Sequence, residues 1–294
     1  MFIPGHITGF FKICKNKDDI LKTGSTGAGI NLNKGTYTEL VEGKGGIYFN
    51  GEKIDLCPVK EVIKNYKEYY NLDEFDYNII HKSDFPLGCG LGTSGSCTLG
   101  AAYGLSEIYK FINNHQDNRY NHKNKDNYEI ENPIVKLAHI SEVQCSTGLG
   151  DVIAQYTKGF VIRKKPGFPI SVEKIHIEDI ENYHVVVEIL GKKETDSIIN
   201  NPNWIDKINK TSDELLGKLL KKPTLKNFMD LSLYFAKNTG LANDKILEIC
   251  DDLKFTLGAS QAMLGNTIFC ICEKNQLDDV LSILKNPMVC KIYQ

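Results

Sequence analysis

Apolar residues recur every three or four positions at Val59, Val62, Ile63, Tyr66 and Tyr70, which predicts an amphipathic helix over 58–70. The same spacing at Leu99, Ala102, Leu105, Ile108 and Ile112 predicts a long helix over 94–112. A third helix opens at Pro133 with Ile134, Leu137, Ala138 and Ser141 on one face, and a short one spans 152–156 before Gly159. Runs rich in β-branched and aromatic residues predict strands at 30–41, 46–49, 77–85, 160–163 and 184–190. Three helical segments then run up to Lys254, followed by a strand at 267–272, a helix at 277–284 and a strand at 289–293. The second half therefore reads as a helix-backed antiparallel sheet, giving an α+β chain of two domains, 1–166 and 167–294. The stretch 113–132 is Asn-rich and nearly devoid of aliphatic residues, so it predicts a surface insertion.

At 294 residues the chain can bury a sizeable core, and its 41% hydrophobic and 24% charged content is that of a globular protein. A net charge of −2 offers no general attraction to nucleic acid or anionic membrane. No apolar run approaches the ~20 residues of a membrane span, and the first residues carry no secretory pattern. The nine cysteines are scattered, with no C-x-x-C pair or zinc spacing, so they read as reduced and buried in a cytoplasmic protein. Cys89 and Cys145 stand out as candidate thiols, but no paired histidine is evident for either.

The segment of greatest chemical interest is Pro86-Leu87-Gly88-Cys89-Gly90-Leu91-Gly92-Thr93-Ser94-Gly95-Ser96, between a predicted strand and the long helix. A glycine turn feeding a helix N-terminus points backbone N–H groups at an anion, and the helix dipole favours negative charge there. Its hydroxyls suit a magnesium ion carried by a phosphate. No Gly-x-x-x-x-Gly-Lys-[Ser/Thr] occurs and no lysine lies in the turn, so this is neither the common P-loop nor a dinucleotide fingerprint. On glycines alone a ligand-free turn fits equally well. A second turn, Ser146-Thr147-Gly148-Leu149-Gly150-Asp151, enters a short helix, where Asp151 by itself reads as an N-cap. Glu142 lies near the end of the preceding helix, placed either to meet solvent or to reach the next loop.

Three segments together resemble the GHMP kinases, the family of galactokinase, homoserine kinase, mevalonate kinase and phosphomevalonate kinase. The loop 86–96 resembles the Pro-x-x-x-Gly-Leu-Gly-Ser-Ser signature, and Pro4-Gly5-His6-Ile7-Thr8-Gly9 sits where the family has its Pro-Gly-Arg/Lys segment. The stretch 257–266 sits where the family has a third glycine-rich motif, most of whose glycines are missing here. Within the family, the opening Pro-Gly-His-Ile-Thr-Gly-Phe-Phe, Gly24-Ser25-Thr26-Gly27-Ala28-Gly29 and Gly-Leu-Gly-Thr-Ser-Gly-Ser look like the archaeal pantoate kinases.

The resemblance implies an N-terminal ribosomal protein S5 domain 2-like domain and a C-terminal ferredoxin-like α/β domain. It also implies phosphoryl transfer from ATP with Mg2+ to the 4-hydroxyl of (R)-pantoate, on the route to coenzyme A. Homoserine, shikimate or mevalonate as acceptor, or a non-catalytic binding role for the fold, are the alternatives. On this reading Pro86, Gly88, Gly90, Leu91, Gly92, Thr93, Ser94, Gly95 and Ser96 hold the nucleotide, Ser94 and Glu142 hold the metal, and Asp151 is the base. Arg163, on the strand after the Asp151 helix, is expected to grip the acceptor's carboxylate unless it is a surface arginine beside Lys164 and Lys165. His6 and Thr8 are candidate donors to the same acceptor. The partners expected are small molecules, with no nucleic acid or membrane, and a homodimer is in keeping with the family.

Overall fold

The computed structural model describes residues 1–71, 76–113, 132–193 and 195–294. The Asn-rich segment lies, apart from its end residues, outside the described residues, as does the side chain of Ile112. Strands β1 (Phe2–Cys14) and β2 (Gly24–Glu42) form a long antiparallel pair. Strands β3 (Ile47–Phe49), β4 (Glu52–Lys53), β5 (Tyr77–Ser83), β6 (Phe160–Arg163) and β7 (Val172–Ile175) complete the sheet in the order β4-β3-β5-β2-β6-β7, with β1 also on β2. Among the described residues only the β3–β5 pair of this sheet is parallel. The expected strand at 30–41 thus begins at Gly24, in a glycine run that reads as a turn. Those glycines are steric: a Cβ on Gly27 would stand 2.2 Å from the Phe10 carbonyl oxygen, and one on Gly29 2.3 Å from that of Ile7.

Helices α1 (Cys57–Tyr70), α2 (Thr93–Asn113), α3 (Pro133–Gln144) and α4 (Asp151–Thr157) pack together around Val59, Val62, Leu99, Ala102, Val135 and Ala138. A second sheet is wholly antiparallel, in the order β11-β8-β10-β9, from β8 (Tyr183–Gly191), β9 (Gly258–Ala262), β10 (Asn266–Glu273) and β11 (Met288–Cys290). Between β8 and β9 the chain forms five helices where the hydrophobic pattern predicts three. They are α5 (Asp196–Ile199), α6 (Pro202–Ser212), α7 (Leu215–Lys221), α8 (Leu225–Thr239) and α9 (Asp244–Asp252). The side chains of Asn201, Thr224 and Asn243 accept N-cap hydrogen bonds and cut this stretch into pieces. Helix α10 (Leu277–Ile283) follows β10.

One continuous core joins Ile7, Phe10 and Ile30 of the first sheet to Val185, Phe228 and Phe269 of the second half. Helix α8 meets β1 at Gly9, where a Cβ would come 2.2 Å from the Ser232 hydroxyl. The last expected strand ends early, at Cys290. Beyond it Ile292 bridges to Leu32, and the Tyr293 N–H donates to the Asn31 carbonyl at 2.8 Å, tying the C-terminal residues to the first sheet. Among the described residues no helix is long and apolar enough to cross a membrane.

Two cysteines depart from expectation. Cys57, at the start of α1, and Cys145, which caps α3, form a disulfide across a sequence separation of 88. The remaining seven are free, all buried but Cys14. Cys89 is buried, its thiol donates to the Pro86 carbonyl at 3.0 Å, and burial pushes its pKa up. Neither candidate thiol is therefore available as a nucleophile.

Candidate active site

The glycine loop and the start of α2 line one pocket. Gly88, Gly90 and Gly92 all have positive φ (78°, 84° and 67°), a conformation that side-chain-bearing residues adopt at a cost. Thr93, Ser94 and Gly95 occupy the first turn of α2, whose N–H groups have no intrahelical acceptor, so these are the donors offered to an anion. The expected range of donors shortens at one end, because the Ser96 N–H is taken by the Gly92 carbonyl at 2.9 Å. The Ser96 hydroxyl is also buried, 2.7 Å from Thr36 Oγ1, and Leu91 lies wholly in the core. Pro86 acts through its carbonyl, which accepts the Thr93 hydroxyl at 3.1 Å and pins the turn.

The stretch that has lost its family glycines braces the loop from behind. Gly265, in the β9–β10 turn, lies so close that a Cβ would stand 2.0 Å from the Cys89 carbonyl oxygen. Thr267 donates to that oxygen at 2.6 Å, and Gln261 Nε2 holds the Gly265 carbonyl at 2.5 Å. Gln155, on α4, donates to the carbonyls of Gly92 and Pro4 at 2.8 and 3.0 Å, locking the loop to the first motif.

Two carboxylates flank Gly148, in different surroundings. Glu142 is 2% exposed and accepts three hydroxyl hydrogen bonds: Ser94 and Thr98 on Oε1, both at 2.7 Å, and Thr147 on Oε2 at 2.9 Å. Burial raises its pKa and the hydroxyls hold it back down; no cation lies within ion-pair distance among the described residues. Asp151 keeps 31% of its side-chain surface and lines the pocket, accepting one long hydrogen bond from Thr8 at 3.4 Å. Burial raises its pKa, while the Arg163 charge and the Thr8 hydroxyl lower it. Its lone pairs remain available to a proton.

Arg163 is no surface arginine. It is 1% exposed, lines the pocket, and burial draws its pKa down only to about 10, so it stays charged at neutral pH. Its Nε has no partner within the protein. Its Nη1 donates to His6 Nε2 at 3.3 Å, which makes that nitrogen the acceptor and His6 neutral; burial and Arg163 both depress the His6 pKa. His6 is fully buried and is not part of the pocket lining; its Nε2 stands between Arg163 Nη1 at 3.3 Å and Asp151 Oδ1 at 3.9 Å. Ser25, at the pocket wall, and Arg163 both crowd Gly150, where a Cβ would stand 2.5 Å from the Ser25 hydroxyl and 2.6 Å from Arg163 Nε. Ser25, Thr98 and Thr147 are the polar groups of this site that the motifs alone do not assign.

A glycine-cradled helix start, a carboxylate with free lone pairs and a buried guanidinium share one pocket, with the hydroxyl-caged Glu142 buried behind Ser94 and Thr147 of its lining, an arrangement suited to moving a phosphoryl group onto an anionic alcohol. The family model for the GHMP kinases N terminal domain matches residues 58–159. The chain is 56% identical to the pantoate kinase of Methanocaldococcus jannaschii, with each chain covered over its full length. The chain belongs to the GHMP kinase family. This GHMP kinase is also 32% identical to the pantoate kinase of Thermococcus kodakarensis, over 97% of this chain and 91% of that one. Its fold matches a solved structure described as a phosphotransferase related to the coenzyme A biosynthesis pathway, with a TM-score of 0.79 and 29% identity, over 99% of this chain and 95% of that one. The α+β architecture expected from the resemblance is thereby established.

Proposed function

We propose that this GHMP kinase transfers the terminal phosphoryl group of ATP to the 4-hydroxyl of (R)-pantoate, in the cytoplasm, as a step towards coenzyme A. The observation that carries the reading is that Asp151 and Arg163 face the same pocket beneath the glycine loop. A carboxylate able to take a proton and a guanidinium able to fork a carboxylate are what a hydroxy acid needs to be phosphorylated.

The N–H groups of Thr93, Ser94 and Gly95 hold the phosphates and favour the charge that spreads onto them in the transition state. Two carboxylates against one guanidinium leave the site short of positive charge. Glu142 and the Ser94 hydroxyl that donates to it at 2.7 Å form an oxygen donor set that fits magnesium, which prefers oxygen ligands and keeps several waters. Bound there, Mg2+ would neutralise phosphate charge as the bond to the leaving group breaks. Arg163, steered by His6 and assisted by Ser25, binds the acceptor's carboxylate and fixes which end of the molecule faces the phosphates. Asp151, held by Thr8, takes the proton of the 4-hydroxyl as its oxygen attacks.

ADP release with ATP and Mg2+ across pantoate, homoserine, shikimate and mevalonate tests the reading. Selective turnover of pantoate supports it. Turnover of another acceptor overturns the substrate, and no turnover of any overturns the reaction.

A further inference from the structure

The pocket has an apolar wall that neither the phosphates nor the proton transfer uses. Phe11, Met263 and Leu264 line it, as does Thr8, to whose backbone Met263 is hydrogen-bonded. Met263 and Leu264 lie in the β9–β10 turn, which Gly265 closes by donating to the Ala262 carbonyl at 3.2 Å. The turn is fixed at both ends. The Met263 N–H donates to the Thr8 carbonyl at 3.0 Å, and Gly265 abuts Cys89 of the glycine loop. It therefore sits between the loop that holds the phosphates and the threonine that holds Asp151, beside the place the acceptor must occupy.

Leu264 is the unusual residue. Its φ is +64°, in the left-handed region, where a bulky side chain is strained and glycine is the default. The next residue is a glycine, so the turn does not lack small residues. A strained residue at a pocket wall implies that its side chain is used there. Leu264 is half-buried against the core and half open to the pocket, whereas Met263 and Phe11 are each 3% exposed and form a fixed backing.

Resting on the functional reading above, we propose that Phe11, Met263 and Leu264 form a seat for the dimethyl-bearing quaternary carbon of the acceptor. They thereby select this branched hydroxy acid against unbranched ones. With the carboxylate on Arg163 and the terminal hydroxyl on Asp151, two carbons lie between them: C2 carries a hydroxyl, and C3 carries the two methyl groups and no polar group. An apolar wall gains contact with two methyl groups there, and gains nothing from a chain bearing hydrogens.

The test compares kcat/KM for pantoate with that for 2,4-dihydroxybutanoate, the same acid without the methyl groups, in the wild type, Leu264→Gly and Leu264→Asn. Both replacements suit the left-handed backbone and remove the apolar side chain, and a melting curve checks that each variant is folded. A hydrophobic pocket discriminates about 10- to 200-fold per methylene, so the wild type should favour pantoate by about 100-fold or more. In both variants the ratio should fall about tenfold, through loss on pantoate with the unbranched acid unaffected. Folded variants that keep the wild-type ratio would overturn the seat and leave the kinase reading standing. A wild type that turns over neither acid would overturn both.

Discussion

Replacing Arg163 by methionine removes the buried guanidinium while keeping an unbranched apolar side chain in its place. The proposed role of Arg163 has two separable effects. Arg163 supplies the acceptor's carboxylate with charge-assisted hydrogen bonds, each worth about 1.5–3 kcal/mol, so a forked pair contributes roughly 3–6 kcal/mol. At about 1.4 kcal/mol per factor of ten, kcat/KM for pantoate should fall by roughly 100- to 20,000-fold, mostly through KM. The KM for ATP should change little, because the nucleotide is held by the start of α2 on the other side of the pocket. Arg163 also lowers the pKa of Asp151, which burial raises. The base form of Asp151 is lost as pH falls through that pKa, so removing Arg163 raises the pKa and moves the acid limb of the pH–rate profile to higher pH. Steady-state kinetics with each substrate varied in turn, repeated across pH, read both effects. A rise in both KM values by the same factor, or an acid limb that moves to lower pH, would refute the assignment. A melting curve confirms that the variant is folded.

Asp151→Asn keeps the shape of the base and removes its capacity for a proton, so turnover should drop by about 100- to 10,000-fold while a non-hydrolysable ATP analogue binds as before. Loss of nucleotide binding by calorimetry would place Asp151 with the phosphates instead. Thr98→Val with Thr147→Val strips two of the three hydroxyls from Glu142. By analogy with groups that orient metal ligands elsewhere, the Mg2+ concentration for half-maximal rate should rise about 10- to 100-fold, and Thr→Ser at both positions should restore it. Mn2+ binding in the presence of the ATP analogue checks the same effect without turnover, and an unchanged affinity would rule out the cage. Reduction of the Cys57–Cys145 bond releases a loop of 88 residues, which chain-entropy reasoning values at up to about 4 kcal/mol. The melting temperature should therefore fall on adding a thiol, and a Cys57→Ser variant should show no such fall.

What could be read from the chain alone is what local pattern encodes. Helix α1 shows its apolar face in the spacing of Val59, Val62 and Tyr66, and the glycine loop announces itself by composition. Glycine misleads where it serves long-range packing. Gly24, Gly27 and Gly29 look like a turn and instead let β1, β2 and their neighbours approach. Strand β9, Gly-Ala-Ser-Gln-Ala, has no β-branched residue and is held by pairing with β10, so no local signal marks it. Within the site, Asp151 and Glu142 stand out as carboxylates next to glycine turns. Contacts made across the fold do not, such as His6 on Arg163, 157 residues apart, and the Cys57–Cys145 disulfide. His6 shows the consequence: its place in the first motif points to the acceptor, whereas its burial assigns it to Arg163. The hydroxyl cage lies between these extremes, since Ser94 and Thr98 are one helical turn apart, but only the fold brings Glu142 to them.

The most direct test of the account is a crystal structure with pantoate, Mg2+ and a non-hydrolysable ATP analogue bound together. The C4 hydroxyl oxygen should lie within about 3 Å of an Asp151 carboxylate oxygen, with the pantoate carboxylate on Arg163. Pantoate bound the other way round, or with its C4 hydroxyl out of reach of Asp151, would contradict it.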